Sequence, residues 1–137
     1  MTTILDDIAR RCDAIEECYE FMLGYAARGL PDDHGSRSGG QLRELLSRAV
    51  QAASGLSGAY AVIVRELRIE PAEQYQAFLA LLERDAANAL AAVQLVLAQP
   101  RISSQLIDNL NASIHLRTLL TDIFLIDEIV KLLQTSS

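Results

Sequence analysis

The sequence predicts an all-helical protein, an antiparallel four-helix bundle that forms one domain over residues 1–137. Apolar residues recur at steps of three and four along most of the chain, which places them on one face of an α-helix. Half of the residues are apolar, but only 5% are aromatic and none is Trp. The core is therefore expected to consist of Leu, Ile, Val and Ala, which suit closely packed helices. Short connections between the helices favour antiparallel neighbours.

The first predicted helix spans residues 4–27. Thr3 is expected to cap its start, and Gly29 and Pro31 end it because neither residue continues a helix well. Its inward-facing residues are expected to be Leu5, Ile8, Cys12, Ile15, Tyr19, Met22 and Ala26. The segment that follows, residues 29–40, is rich in Gly, Pro, Asp and Ser and is therefore predicted to be a flexible loop.

The second predicted helix spans residues 41–67. The stretch from Ser54 to Gly58 lies in its middle and forms helix poorly, since each glycine costs ~1 kcal/mol relative to Ala. Two interpretations of this stretch remain equally open. Either the helix is kinked near Gly55 and Gly58, or its small residues let another backbone approach closely. A complete break into two helices ranks below both.

The third predicted helix begins at Pro71, a good first-turn residue, and ends before Pro100. The fourth spans residues 103–134 and is apolar on two opposite faces. One face consists of Ala112, Leu116, Leu119, Leu120, Ile123, Ile126 and Val130, and the other of Ile107, Leu110, Ile114, Thr121, Leu125 and Leu132. A helix of a monomeric bundle needs only one apolar face. The second face therefore predicts a homo-oligomer, a dimer or larger, that forms through the C-terminal helix.

A polar stripe runs between these two faces. It consists of Ser104, Asp108, Asn111, His115, Thr118 and Asp122, which follow one another at steps of three and four. One interpretation is a hydrogen-bonding ladder inside the assembly, with His115 bonded to another helix and at the centre of a small pocket. The other, which we weight slightly higher for the stripe as a whole, is a solvent-facing edge, because Asp and Asn are costly to bury unpaired.

The sequence contains no motif for catalysis, metal binding or a cofactor. Neither His34 nor His115 has a Glu three residues before it, which excludes the usual di-iron bundles. Cys12 and Cys18 lie six residues apart on one predicted helix and so point to different faces, which disfavours both a disulfide and a zinc site. We therefore expect no metal, no cofactor and no enzymatic activity.

Charge and hydropathy limit the kinds of partner. The formal net charge is −6 and the basic residues are dispersed, so nucleic acid is not an expected partner. No apolar stretch is long enough to span a membrane and no secretion signal is visible, so neither membrane association nor export is expected. We expect a cytoplasmic protein.

These observations favour a non-enzymatic cytoplasmic regulatory or accessory protein that acts through protein–protein interaction as a homo-oligomer, with a larger protein as a further partner. The alternative is a small-molecule sensor or carrier with a pocket between the helices near His115. Arg37 lies in the glycine-rich stretch before helix 2, where free backbone N–H groups suit an anion, although a flexible loop explains the same composition. The candidate ligand-binding residues are Tyr19, Tyr25, Arg37, Asn111, His115 and Asp122.

Overall fold

The computed structural model describes residues 2–135, and the side chains of residues 3–134. Every regular element in this range is an α-helix. The helices are α1 (Thr2–Ala27), α2 (Arg37–Ala53), α3 (Leu56–Glu66), α4 (Ala72–Leu97), α5 (Ser104–Ala112) and α6 (His115–Thr135). The all-helical prediction is confirmed. The described residues form six helices because the second and fourth predicted helices are each broken in two.

The helix ends that were predicted from Gly and Pro agree with the structure, whereas the predicted starts of the first two helices agree less well. α1 ends at Ala27 as predicted, but Thr3 lies inside this helix instead of capping it. α2 begins at Arg37, earlier than predicted, because the Ser36 hydroxyl caps it by accepting a hydrogen bond from the Gly39 N–H at 3.0 Å. The segment between α1 and α2 is correspondingly shorter than predicted.

A complete break separates α2 from α3, so the preference for a single kinked or closely packed helix was wrong. Gly55 lies at the break with φ of 82°, a left-handed conformation that glycine adopts without steric cost. The Arg11 guanidinium of α1 donates hydrogen bonds to the carbonyl oxygens of Ala52, at 3.0 Å, and Ser54, at 2.6 Å. These bonds stabilise the break because they satisfy carbonyl groups that a continuous helix would have paired.

A second break separates α5 from α6, and it corrects the description of the fourth predicted helix. Ile114 adopts φ of 61°, which is unusual for a β-branched residue. Because of this turn, α5 and α6 bury different faces of the predicted helix. α5 buries Ile107 and Leu110 of the second face, whereas α6 buries the first face, which includes Leu116 and Leu119. Part of the apolar face that the sequence assigned to a partner therefore lies in the core of this chain. The polar stripe is divided as well, with Asn111 on α5 and His115 on α6.

The core lies between α1 and α4, which each pack against α2, α3, α5 and α6. Aliphatic residues dominate it, as predicted, together with two buried tyrosines. Its largest fully buried side chains are Tyr25, Tyr60, Ile15, Met22, Leu42, Leu46, Leu56, Ile63, Leu82, Ile102, Ile107 and Leu119. Within residues 2–135, no helix is both long enough and apolar enough to cross a membrane.

Candidate functional site

The structure distributes the six predicted ligand-binding residues over four helices. Tyr19 and Tyr25 lie on α1, Arg37 on α2, Asn111 on α5, and His115 and Asp122 on α6. Arg37 and His115 are exposed, Tyr19, Asn111 and Asp122 are partly buried, and Tyr25 is buried. Tyr25 lines a cleft of about 290 Å³ together with Glu20, Phe21, Gly24, Arg28 and Ser38, and none of the other five residues lines this cleft.

His115, which one interpretation of the polar stripe places inside the assembly, is not buried within this chain. It is the first residue of α6, its side chain is exposed, and its ring makes no hydrogen bond with any residue from 3 to 134. The cavity lined by its neighbour Leu116 has a volume of only about 10 Å³. Such a cavity holds about one water molecule and no metabolite.

A buried polar cluster joins the segment before α2 to the segment before α5. Asp33 is only 6% exposed, and its carboxylate accepts hydrogen bonds from the Ile102 N–H at 2.7 Å and from the Arg43 side chain. Arg43 also donates to the carbonyl oxygens of Leu97, at 3.2 Å, and Gln99, at 2.9 Å. Burial alone would raise the pKa of Asp33, but the hydrogen bonds and the charge of Arg43 outweigh it and hold this pKa at about 2.

A serine completes this cluster, which we call the polar junction. The Ser104 hydroxyl donates to the Tyr25 carbonyl at 2.6 Å and accepts from the Leu30 N–H at 2.8 Å. The Tyr25 hydroxyl in turn donates to the Ile102 carbonyl at 2.7 Å. These polar groups have partners within the chain, so the junction has a structural role. It also ties down part of the segment that the sequence predicted to be flexible.

Both cysteine thiols are poor nucleophiles. Burial raises the pKa of Cys12 to about 11 and that of Cys18 to about 12, so neither forms a thiolate at neutral pH. Both are free. Within residues 2–135, no group of three or more His, Cys, Asp or Glu side chains is arranged to hold a metal ion.

Asn111 and Asp122 are distinguished by unpaired atoms. In the part of the chain that the structure describes, these are the two residues with a buried side-chain oxygen that lacks a hydrogen-bond partner, Oδ1 of Asn111 and Oδ2 of Asp122. Burial and the adjacent Asp85 carboxyl group of α4 both favour the protonated form of Asp122 and raise its pKa to about 7. The sequence had singled out both residues, but it contained no signal for Asp85, because only the packing of α4 on α6 brings the two acids together.

The Asp122→Asn variant should therefore be more stable than the wild type at neutral and higher pH. Because the pKa of Asp122 is higher in the folded than in the unfolded chain, the wild type should lose stability as the pH rises from about 4 to about 7. The neutral amide removes this loss, and we expect a gain of about 1 to 2 kcal/mol at pH 8, after allowance for partial solvent screening. Urea denaturation at a series of pH values measures both effects. The exposed Asp108 provides the control variant, Asp108→Asn, and parallel pH profiles for wild type and Asp122→Asn would contradict the assignment.

The largely apolar groove between α4 and α6 is the best candidate for an interaction site. Its volume is about 240 Å³, and its lining residues are Gln74, Tyr75, Phe78, Leu125, Ile126 and Ile129. Four large apolar side chains of the described part of α6 remain exposed: Phe124 by 51%, Leu125 by 55%, Leu132 by 59% and Leu133 by 37%. Exposed apolar side chains that lie next to an apolar groove are typical of protein-binding surfaces.

No family model, no curated protein and no solved structure matches the chain.

Proposed function

We propose that this protein is a non-enzymatic cytoplasmic regulatory or accessory protein that acts through protein–protein interaction as a homo-oligomer. The observation that carries the proposal is the exposed apolar surface of α6 beside the α4–α6 groove. Phe124 and Leu125 are each more than half exposed, and Leu125 also lines the groove. Covering this surface with another protein removes apolar area from water, which is the main driving force of association.

We further propose that the six helices are arranged as an antiparallel four-helix bundle whose second and fourth members are broken. Contacts between α1 and the next two helices support the antiparallel order. Arg28, just beyond the end of α1, bonds Ser38 at the start of α2, whereas Arg11 bonds the Ser54 carbonyl at the end of α2. α1 and α4 each contact both broken pairs, which agrees with a ring of four members.

The chemistry of the polar groups favours binding over catalysis. General acid–base or nucleophilic catalysis needs a reactive group that is held by a partner at the right protonation state. The thiols of Cys12 and Cys18 have raised pKa values, and the ring of His115 is exposed and unpaired in the part of the chain that is described. The alternative role, a small-molecule sensor with a pocket near His115, draws no support from the cavity of about 10 Å³ beside Leu116.

The mass of the protein in solution tests the oligomer. Light scattering after gel filtration should give at least twice the 15.0 kDa of one chain. Replacing Phe124 and Leu125 together by Asp should weaken association about tenfold or more, since central apolar residues dominate interface energies. The control is Leu95→Asp, which introduces one Asp at a side chain that is 66% exposed on α4 but does not line the groove. A monomer at all concentrations, or equal effects of the variant and its control, would overturn the proposal.

A further inference from the structure

We propose that a second copy of this chain docks on α6 in the antiparallel direction, about a two-fold axis, with Arg117 facing Glu128 of the partner subunit. This inference rests on the proposed function, since it specifies the orientation and register of the homo-oligomer. Two charges on the exposed face of α6, Arg117 and Glu128, set this orientation.

The two charges flank the apolar surface on the same side of the helix. At 100° per residue, Arg117 and Glu128 are separated by three full turns plus a small angle, so they lie nearly in line and about 16 Å apart along the axis. Phe124 and Leu125 are exposed between them, while Leu119, Ile123 and Ile126 point the opposite way into the core. The exposed face therefore has a positive end, an apolar centre and a negative end.

Both charges lie on exposed side chains, and Glu128 helps to raise the pKa of Lys131 without forming an ion pair with it. Arg117 and Glu128 are both exposed, and neither forms an ion pair with another residue from 3 to 134. By contrast, Lys131, one turn beyond Glu128, is already paired with Asp127 at 3.2 Å. Arg117 and Glu128 are thus free to set the position of a partner.

The charge pattern selects one orientation for a second copy. A parallel arrangement would place Arg117 opposite its own symmetry mate and Glu128 opposite its own, which is repulsive at both ends. A two-fold antiparallel arrangement places Arg117 opposite Glu128 of the partner subunit at both ends, and the same register sets Phe124 over Thr121 of the partner subunit. A symmetric dimer needs such a self-complementary patch, whereas a foreign partner would place no such requirement on this face. The occupant that fits is therefore a second copy.

Exposed ion pairs contribute little to affinity, so their effect is on register and orientation. This makes charge reversal a sharp test, because it changes the pattern and leaves the apolar centre intact. Arg117→Glu and Glu128→Arg each create two repulsive contacts in the antiparallel dimer. The double variant, and an equimolar mixture of the two single variants, each recover two attractive contacts.

The experiment is sedimentation equilibrium of the full chain at low and high salt. At low salt each single variant should dissociate about tenfold more readily than the wild type, whereas the double variant and the mixture should return to within about twofold of it. High salt should reduce these differences. The control is Arg48→Glu, the same reversal at an exposed position on α2, which should leave dissociation unchanged.

The outcomes separate this inference from the proposed function. A wild-type chain that stays monomeric overturns both. An oligomer in which the single variants associate normally, or in which the double variant and the mixture are not restored, overturns the antiparallel α6 pairing and leaves the oligomer in place. A mixture that associates much more tightly than the wild type would indicate the parallel arrangement and would also overturn the inference.

Discussion

Replacing Gly39 by Ala should destabilise the protein strongly, although Gly39 lies within helix α2, where Ala is ordinarily the better residue. A Cβ atom at position 39 would lie 1.9 Å from the carbonyl oxygen of Asp33 and 2.6 Å from its carbonyl carbon. These are backbone atoms of a segment held by the polar junction, so they cannot rotate away as a side chain does. Gly39 therefore permits the close approach of α2 to this segment. We expect a loss of about 2 to 4 kcal/mol in the free energy of unfolding, at or above the usual range for overpacking.

The neighbouring Gly40 provides a matched control. No atom lies within 4 Å of a Cβ built at position 40, so Gly40→Ala should be neutral or stabilise the helix by up to about 1 kcal/mol. Urea denaturation followed by circular dichroism measures both variants. If the two substitutions change stability by similar amounts, the close packing of Asp33 on Gly39 is not the cause.

Replacing Asp33 by Ala should also cause a large loss of stability. The substitution removes the acceptor for the buried Ile102 N–H and leaves the Arg43 guanidinium without its carboxylate partner. Removing one member of a buried ion pair costs about 3 to 5 kcal/mol, and we expect the lower end because the Arg43 side chain is 32% exposed. We expect hydrogen exchange at the Ile102 amide to be slow in the wild type and fast in the variant.

The pH dependence of stability gives a second measure of how much the Asp33 carboxylate contributes to the free energy of unfolding. The pKa of Asp33 is about 2 in the folded chain, below its usual range, so the stability it contributes is present above about pH 4 and is lost as the pH falls towards 2. The Asp33→Ala variant should lack this acid-dependent loss of stability. The control is Asp32→Ala, since Asp32 pairs with an exposed Arg101 at 3.7 Å. This substitution should lower the free energy of unfolding by about 1 kcal/mol or less. Equal losses from the two variants would argue against a special role of Asp33.

The sequence alone predicted the helical class and most of the helix ends. Both follow from local properties: the spacing of apolar residues sets the face of a helix, and Gly29, Pro71 and Pro100 interrupt the backbone wherever they occur. The weakness of the second helix near Gly55 was also visible, since glycine is a poor helix former. Whether that weakness becomes a kink or a break depends on Arg11, which is remote in sequence and satisfies the carbonyl groups that the break exposes.

The break at Ile114 had no such signal, because the surrounding residues include neither Gly nor Pro and Ile disfavours the left-handed conformation. Only the tertiary packing accounts for it: the turn buries Ile107 and Leu110 of α5 in the same core as Leu116 and Leu119 of α6, which a straight helix would hold on opposite faces. The two apolar faces were therefore correctly read from the sequence, but Ile107 and Leu110 of the second face were wrongly assigned to a partner.

Three residues of the predicted ligand site, Asn111, His115 and Asp122, were chosen in the same way, because a straight fourth helix would align them. Composition predicted a loop over residues 29–40, which is correct for residues 29–36 and wrong for residues 37–40, which lie in α2. It could not show that Asp33 meets an amide 69 residues later in the chain. Local sequence determines which stretches are helical and which faces are apolar, because those properties depend on neighbours within a few residues. Which buried polar groups find partners, and which apolar side chains of α6 stay exposed, depends on contacts between distant segments, and only the tertiary structure decides those.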